Sequence, residues 1–203
     1  MTELELEEGF YLLPRGTLPS LVVCLEMTER PPPRHCRPPD GVSLRHVHQP
    51  DLDWYRALFT KVGEPWVWYG RRLLTDDRLR AVIHDPKIEV RVVEHHGSPE
   101  GLMELDFRKD GEVELAYFGL ADALIGSGAG RWLMEEAITQ AFHAPIRRFW
   151  VHTCNWDHKA ALAFYQRSGF KPYRFALDLD PDPRLTGVLP RSAGPHAPII
   201  EAG

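Results

Sequence analysis

Three glycines alternate with small residues in LIGSGAGRWLM, residues 124–134, and a helical pattern begins immediately after them. The first amides of a helix have no intrahelical acceptor and lie at the positive end of the helix dipole, so a phosphate can bind there. Gly126, Gly128 and Gly130 would leave those amides uncovered, and Arg131 would add a positive charge. A plain flexible turn before a helix explains the glycines equally well, and the loop alone does not separate the two interpretations.

The glycine spacing excludes two common phosphate loops. A P-loop requires GxxxxGK[ST], which this chain lacks. A dinucleotide-binding loop requires GxGxxG, whereas the spacing here is GxGxG and Arg131 stands at the third glycine position. A dinucleotide-binding fold would also need strand–helix repeats on both sides of the loop. The segment before this loop instead predicts consecutive strands.

The elements that must position the loop follow from hydrophobic periodicity and turn residues. Three strands joined by tight turns predict an antiparallel meander just before the loop, and a strand–helix–strand crossover after it should be parallel and right-handed. The predicted strands are VSLRHV, IEVRVVEHH, GLMELDFRK, EVELAYFGL, RRFWVHT and PYRFALDLD. The predicted helices are DWYRALFTKVG, LTDDRLRAVIHD, residues 128–142 and the helix within HKAALAFYQRSGF.

Composition changes divide the chain into three parts. Residues 1–40 form an N-terminal extension, with a strand candidate in LPSLVVCLEM and a proline-rich linker in ERPPPRHCRPPD. Residues 41–180 carry the regular pattern, and residues 181–203 form a Pro/Gly-rich tail predicted as loop. The N-terminal strand is a candidate for addition to a sheet edge, in its own subunit or in a neighbour. The sequence therefore leaves a homodimer open.

Charge and composition narrow the classes of partner. The net charge is −5, from 24 basic and 29 acidic residues, which argues against nucleic acid as the main partner. No apolar run approaches the roughly 20 residues needed to cross a membrane, and the acidic N-terminus lacks a signal-peptide pattern. Three cysteines without paired spacing predict no disulfide framework. The histidine pairs at 46/48 and 95/96 lack a third ligand at a sensible spacing, so no metal site is predicted. We expect a soluble cytoplasmic protein.

A second motif follows the glycine loop, in NWDHKAALAFYQRSGF, residues 155–170. Together the two motifs resemble the GNAT acetyltransferase superfamily, and the resemblance covers about residues 42–179. The family loop has the form Q/R-x-x-G-x-G/A, whose glycines match here, although Ile125 replaces the usual polar residue. The family's second motif is N-x-x-A followed by a helix ending in FYxxxGF. His158 occupies its asparagine position and Asn155 lies three residues earlier, which leaves open which of them contacts a cofactor.

The resemblance implies an α/β (α+β) fold: a mixed sheet with an N-terminal antiparallel meander, helices on both faces and a central parallel strand pair splayed around a coenzyme A groove. It implies acetyl-CoA as the cofactor, with the amide of Leu120 serving the pantetheine arm and the amide of Phe118 serving the thioester carbonyl. The cofactor-binding residues it implies are Phe118, Gly119, Leu120, Ile125, Gly126, Ser127, Gly128, Ala129, Gly130, Arg131, Asn155, His158 and Tyr165.

Two residues are candidates for proton transfer. In EVELAYFGL, strict alternation places Glu114 on the face of Ala116 and Phe118, opposite Val113, Leu115 and Tyr117. Burying an unpaired carboxylate in a sheet is costly, so Glu114 is a candidate general base, a role the resemblance also implies. The alternative is that Glu114 faces solvent or pairs with Arg91. By resemblance Tyr165 is the candidate general acid, and its alternative is an ordinary core tyrosine.

The function implied is N-acetyltransfer from acetyl-CoA to a primary amine by direct attack. The acceptor, a small molecule or a peptide, is not identified by the sequence. An alternative is a non-catalytic acyl-CoA-binding sensor or partner-binding module, because a fold can retain binding after losing its chemistry. A thiol hydrolase built on Cys154 and His158 would leave the glycine loop without a role.

Overall fold

Seven strands form one mixed sheet in the computed structural model, which describes residues 5–203. They are β1 (Thr17–Met27), β2 (Val42–His46), β3 (Ile88–His95), β4 (Ser98–Asp106), β5 (Glu112–Leu120), β6 (Arg148–Cys154) and β7 (Lys171–Pro181). Their order across the sheet is β2-β3-β4-β5-β6-β1-β7, and every neighbouring pair is antiparallel except β5 and β6. The predicted meander and central parallel pair are therefore confirmed.

Four α-helices cover the sheet: α1 (Leu52–Gly63), α2 (Asp76–Ile83), α3 (Ala129–Ala141) and α4 (Ala161–Arg167). The first two begin at side-chain caps. Asp51 Oδ1 accepts the Trp54 N–H at 2.9 Å, and Thr75 Oγ1 accepts the Arg78 N–H at 3.4 Å. Asp and Thr are both common at this position, because their side-chain oxygens accept the first free amides of a helix.

The helices pack on opposite faces of the sheet. Tyr55 and Phe59 of α1 are buried with Val90 and Leu102 of the meander. On the other face, α3 and α4 bury apolar side chains against residues of β5 and β6, including Leu115, Leu133, Ile138, Phe149 and Tyr165. The meander is therefore covered by α1 and α2, and the parallel strands are covered by α3 and α4 on the opposite face. Within residues 5–203, no helix is long and apolar enough to cross a membrane.

The N-terminal strand β1 lies inside the sheet, between β6 and β7, which corrects the expectation that it would add to an edge. Its side chains explain the position. Leu25 and Met27 are buried in the core under α3 and α4, while Leu18 and Cys24 are buried on the opposite face. A strand with apolar residues on both faces suits the interior of a sheet better than an edge.

The C-terminal tail forms no helix or strand after β7, and it is packed against the rest of the chain. Leu189, Ala193 and Ala197 are buried against Leu18 of β1 and Val67. The buried Arg184 guanidinium pairs with Asp182 at 2.7 Å and also donates to the carbonyl of Ala197 at 2.7 Å. The tail thus closes one end of the molecule over the loop that follows α1.

A bulge in β5 reverses part of the predicted alternation. Glu104 pairs with Tyr117 and the next β4 residue pairs with Leu115, so Ala116 is left without a partner. Tyr117 consequently packs against α1, and Phe118 packs in the core under α3 and α4. The prediction that Phe118 shares the face of Glu114, and that Tyr117 does not, is wrong for this reason.

Candidate active site

A cleft of about 650 Å³ opens where the two parallel strands separate. β5 and β6 pair only from Glu112–Glu114 to Arg148–Trp150. Beyond that point β5 lines one wall of the cleft with residues 115–120, and β6 lines the other with Val151, His152 and Cys154. The carboxyl ends of diverging parallel strands are a general position for ligand binding in α/β sheets. The predicted splay is confirmed.

The glycine loop forms one end of this cleft. Gly126 and Gly128 adopt φ of +80° and +93°, a conformation that other residues adopt only under strain. A Cβ added at either position would meet no atom within 4 Å. The reason for glycine is therefore backbone conformation and an open approach, and not packing. Gly128 caps α3, so the loop leads directly into the helix start.

The amides of this loop alternate between internal bonding and exposure. The N–H groups of Ser127, Ala129 and Arg131 donate to Leu124 O, Ser127 Oγ and Gly128 O, at 3.3, 3.2 and 3.1 Å. In the described part of the chain, the N–H groups of Gly126, Gly128 and Gly130 donate to no acceptor. All three glycines line the cleft, together with Ile125 and Arg131. The loop thus presents three available amides and one guanidinium to the same space.

Two of the predicted loop residues face inward. Ala129 is fully buried, and Ser127 Oγ donates to the carbonyl of Leu124 at 2.8 Å while accepting the Ala129 N–H. These two residues therefore shape the loop from behind. Ile125 is 45% exposed, lines the cleft and donates its amide to Asp122 O at 3.2 Å.

The free edge of β5 continues the row of available amides. The Ala121 N–H donates to Glu100 O at 2.7 Å, towards β4. Because successive peptide groups of a strand point to opposite sides, the amides of Leu120 and Phe118 point away from β4 and into the cleft. Gly119 has a packing role, since a Cβ there would lie 2.6 Å from Val62 Cγ1 and 2.9 Å from Trp68 Cη2.

Glu114 lies beside the cleft rather than in its wall. Its side chain is 24% exposed, and burial, reinforced by the charge of Asp106, raises the pKa of Glu114 to about 7. It does not pair with Arg91, whose guanidinium instead contacts Glu89 at 2.9 Å. Glu114 is thus a carboxyl group that changes protonation near neutral pH.

His152 is an ionisable neighbour of Glu114 that sequence reasoning missed. His152 Nε2 lies 3.7 Å from Glu114 Oε1, and His152 lines the cleft. The His152 side chain is 49% exposed, and desolvation by the protein atoms around the ring lowers its pKa, which favours the neutral imidazole. A signal was present in the sequence: alternation in RFWVHT puts His152 on the face opposite Phe149 and Val151, away from the apolar core.

Tyr165 lies across the cleft on α4. The residue is 7% exposed, and its ring packs against Phe118 and Phe170 with centroid distances of 6.3 and 5.9 Å. Tyr165 also lines the cleft. Burial raises the pKa of Tyr165 well above its usual value, so the hydroxyl remains protonated at neutral pH. The site therefore has a proton donor and a proton acceptor on different walls.

Asn155 and His158 occupy different environments. Asn155 Oδ1 accepts the Leu21 N–H at 2.7 Å, which ties the end of β6 to β1 and turns the side chain away from the cleft lining. His158 lines the cleft, its Nδ1 accepts the Ala160 N–H at 3.1 Å, and its ring meets Trp66 edge-on at 5.1 Å. The geometry brings His158 to the cleft and leaves Asn155 with a structural contact.

Comparison with known proteins identifies the family. A model of the acetyltransferase (GNAT) family matches residues 52–170, more than half of the chain. The chain belongs to the GNAT family of acetyltransferases. The match spans α1 to the end of the second motif and includes the whole glycine loop. Among curated proteins, none matches the chain.

Solved structures share the fold at low identity. A GCN5-related N-acetyltransferase from Sphaerobacter thermophilus is 21% identical with a TM-score of 0.58, over 81% of this chain and 53% of that one. One from Kribbella flavida is 22% identical with a TM-score of 0.56, over 85% and 63%. An aminoglycoside acetyltransferase from an uncultured soil metagenomic sample, in complex with sisomicin, is 11% identical with a TM-score of 0.53, over 64% and 88%. This chain therefore spans little more than half of the first relative.

The far end of the GNAT cleft is lined by side chains rather than backbone. Aromatic rings and carboxylates converge there from the loop after α1, the loop after β6, and β7. Tyr69 donates its hydroxyl to Asp180 Oδ2 at 2.6 Å, and Asp178 lies on the same face of β7. The lining residues at this end are Trp66, Trp68, Tyr69, Trp156, Asp157, Asp178 and Asp180.

A buried ion pair holds the loop after α1 against the sheet. Arg71 pairs with the fully buried Glu104 of β4, which also accepts the Tyr55 hydroxyl at 2.6 Å. The Arg71 guanidinium lies over the Tyr117 ring, 5.0 Å from its centroid. Glu104 and Arg71 act on Glu114 with opposite charges, so this network also sets the electrostatic surroundings of the carboxyl group.

The remaining candidates from the sequence have no comparable arrangement. Burial raises the pKa of the Cys154 thiol to about 11, which keeps it protonated and weakens it as a nucleophile. Among residues 5–203, no group of three or more His, Cys, Asp or Glu side chains is arranged to hold a metal ion.

Proposed function

We propose that this GNAT protein is an N-acetyltransferase that moves the acetyl group of acetyl-CoA to a primary amine of a small molecule. The observation that carries the proposal is a single cleft that joins three unbonded glycine amides at one end to an ionisable pair, Glu114 and His152, near the other. A binding site alone would not require an ionisable pair beside it.

Coenzyme A fits the backbone end of the cleft. The amides of Gly126, Gly128 and Gly130 and the Arg131 side chain would hold the pyrophosphate, because they offer hydrogen bonds and positive charge without intervening side chains. The amides of Leu120 and Phe118 would pair with the pantetheine arm and the thioester carbonyl, in the manner of an added strand. Acetyl-CoA would supply the acetyl group and the thiolate leaving group.

Proton transfer falls to residues on opposite walls. The imidazole of His152 lines the cleft and lies 3.7 Å from Glu114, so it would relay the proton of the acceptor amine to Glu114, the general base. The hydroxyl of Tyr165 would give its proton to the departing thiolate. His158 would contact the cofactor. Asn155 would not contact it, and its bond to the Leu21 amide would only hold the end of β6 in place.

The acceptor we expect is a small amine with more than one positive charge. Carboxylates attract cations, and aromatic faces bind them as well, so the far end of the cleft suits a polycationic amine. The similarity to an aminoglycoside acetyltransferase bound to sisomicin supports a small-molecule acceptor.

The test measures thiol release from acetyl-CoA with a panel of monoamines, diamines, polyamines, aminoglycosides and lysine peptides, alongside calorimetric binding of coenzyme A. Accelerated release by the polycationic members, with acetylated product in the mass spectrum, is expected. Tight coenzyme A binding without acceleration by any amine would instead establish a non-catalytic acyl-CoA-binding module. Absence of binding would refute both.

A further inference from the structure

The last strand of the sheet has an exposed apolar face. β7 pairs with β1 alone and has no strand on its outer side among residues 5–203. Phe175, Leu177 and Leu179 alternate on the face away from the cleft, and Leu21 of β1 lies beside Leu177. All four are exposed, Phe175 by 71%. An exposed apolar row on a free sheet edge is a typical site of association.

The sequence of β7 is self-complementary when read in opposite directions. The strand KPYRFALDLDP has Ala176 at its midpoint. Antiparallel pairing of two copies about Ala176 puts Arg174 of each copy opposite Asp178 of the other. It also puts Phe175 of each copy opposite Leu177 of the other, so charge meets opposite charge on one face and apolar meets apolar on the other.

We propose that two copies of this chain associate through β7, antiparallel and centred on Ala176, so that two seven-stranded sheets become one. Such a contact is isologous, with the same residues contributed by each copy, and it closes at the dimer. The proposal does not depend on the acetyltransferase activity, because association is tested by molar mass and by cross-linking. Its charge pair does include Asp178, which also lines the cleft.

The backbone orientation agrees with this register. The Asn155 N–H donates to Leu21 O at 3.3 Å, so the peptide groups of Leu21 point towards β6. By alternation across β1, the groups of Ala176 point back to β1 and those of Phe175 and Leu177 point outward. In a pairing centred on Ala176, the backbone N–H and C=O groups of Phe175 in one copy would bond to those of Leu177 in the other. These groups must therefore point outward from the sheet.

Prolines at both ends of β7 limit the paired length. Pro172 and Pro181 flank the apolar residues, and neither can donate a backbone hydrogen bond. Prolines on an edge normally discourage open-ended strand addition. Here they leave a short central segment available, which favours one closed contact between two copies over extended aggregation.

The first experiment measures molar mass by sedimentation velocity on the full chain. Wild type is expected at twice 23.2 kDa at micromolar concentration. Arg174→Asp and Asp178→Arg should each raise the dimer dissociation constant at least tenfold, and the double variant should restore the dimer. Restoration is the decisive outcome, because Arg174 also interacts within its own chain. Arg78→Asp, an exposed charge reversal on α2, is the matched control and should leave the dimer unchanged.

The second experiment tests the register and does not depend on weakening the contact. In Ala176→Cys the two new thiols face each other across the axis, about 5 Å apart between Cα atoms, and should form an intersubunit disulfide on mild oxidation. In Lys171→Cys the two thiols would lie roughly 33 Å apart and should not cross-link. A monomeric wild type, a double variant that stays monomeric, or equal cross-linking at both positions would overturn the proposal.

Discussion

The two ends of the cleft are built by different means. The end at the glycine loop presents backbone amides of Gly126, Gly128 and Gly130, all from one contiguous segment. The opposite end presents side chains from segments far apart in the chain, such as Tyr69 and Asp180. Backbone contacts tolerate changes of neighbouring side chains, whereas a side-chain pocket changes with any one residue. A family can thus keep one cofactor while its acceptors diverge.

The largest expected effect comes from Glu114→Gln, which removes the proposed base and leaves the glycine loop untouched. It should lower kcat by about 10² to 10⁴-fold, the range typical of general bases, without changing coenzyme A affinity. In wild type kcat/KM should rise with pH through about 7, because the carboxylate must be ionised, and the variant should lose this rise. Steady-state pH profiles and calorimetry check both.

Stability gives the same variant an independent readout. The pKa of Glu114 is raised in the folded state, so the folded protein binds more protons than the unfolded chain between about pH 4.5 and 7. Stability contributed by this group is therefore lost as pH rises through that window. At pH 8 the free energy of unfolding of Glu114→Gln should exceed that of wild type by about 1–3 kcal/mol, and at pH 4 the two should be equal. Denaturant titrations at the two pH values measure this difference.

In the kinetic experiment, an unchanged kcat in Glu114→Gln would remove Glu114 from the mechanism.

Tyr165→Phe tests the proton donor on the other wall. Phenylalanine keeps the ring that packs against Phe118 and Phe170, so the substitution should disturb packing little. We expect kcat to fall about 10²-fold, the lower end for acid catalysis, with coenzyme A affinity nearly unchanged. Tyr173→Phe, a half-exposed tyrosine on β7, is the control. Equal turnover of wild type and Tyr165→Phe would contradict the assignment.

Gly128→Ala should have the opposite effect to the two preceding variants. It alters only the backbone end of the cleft, so it should weaken coenzyme A binding and not lower kcat. At φ of +93° an alanine costs about 1–2 kcal/mol. If the loop relieves this cost by leaving the conformation that presents its amides, coenzyme A affinity should fall roughly tenfold, with kcat at saturation largely kept. Gly187→Ala is the matched control, since that glycine in the tail has φ of +80° and equally open surroundings. A similar affinity loss in both variants would show that general strain, and not the loop, is responsible.

The sequence predicts the features of the fold that depend on neighbouring residues, and it fails for those that depend on distant segments. The elements and caps are predictable because periodicity and capping residues such as Asp51 act locally. The expected edge position of β1 is wrong, because pairing between distant strands leaves no local pattern. The expected faces of Tyr117 and Phe118 are wrong because a bulge at Ala116 shifts the alternation, and nothing in EVELAYFGL marks it.

The candidate site divides in the same way. The glycine loop follows from contiguous residues, while the pairing of His152 with Glu114 needs the parallel register that only the folded sheet supplies. The buried contacts of the tail with Val67 could not be predicted either, since proline-rich segments carry no periodicity. The sequence therefore indicates which residues form the backbone end of the cleft, and it does not reveal which side chains meet at the other end.

The smallest effects should distinguish two residues that the sequence leaves as alternatives. His158→Ala removes a side chain that lines the cleft and should weaken coenzyme A binding about threefold to tenfold, with stability nearly unchanged. Asn155→Ala removes the bond to the Leu21 amide and should lower the free energy of unfolding by about 0.5–1.5 kcal/mol without affecting coenzyme A. Calorimetric affinities and denaturant midpoints give the comparison directly. If Asn155→Ala weakened the cofactor more than His158→Ala, the backbone end of the cleft would extend to the end of β6, and the boundary between the two ends would have to be redrawn.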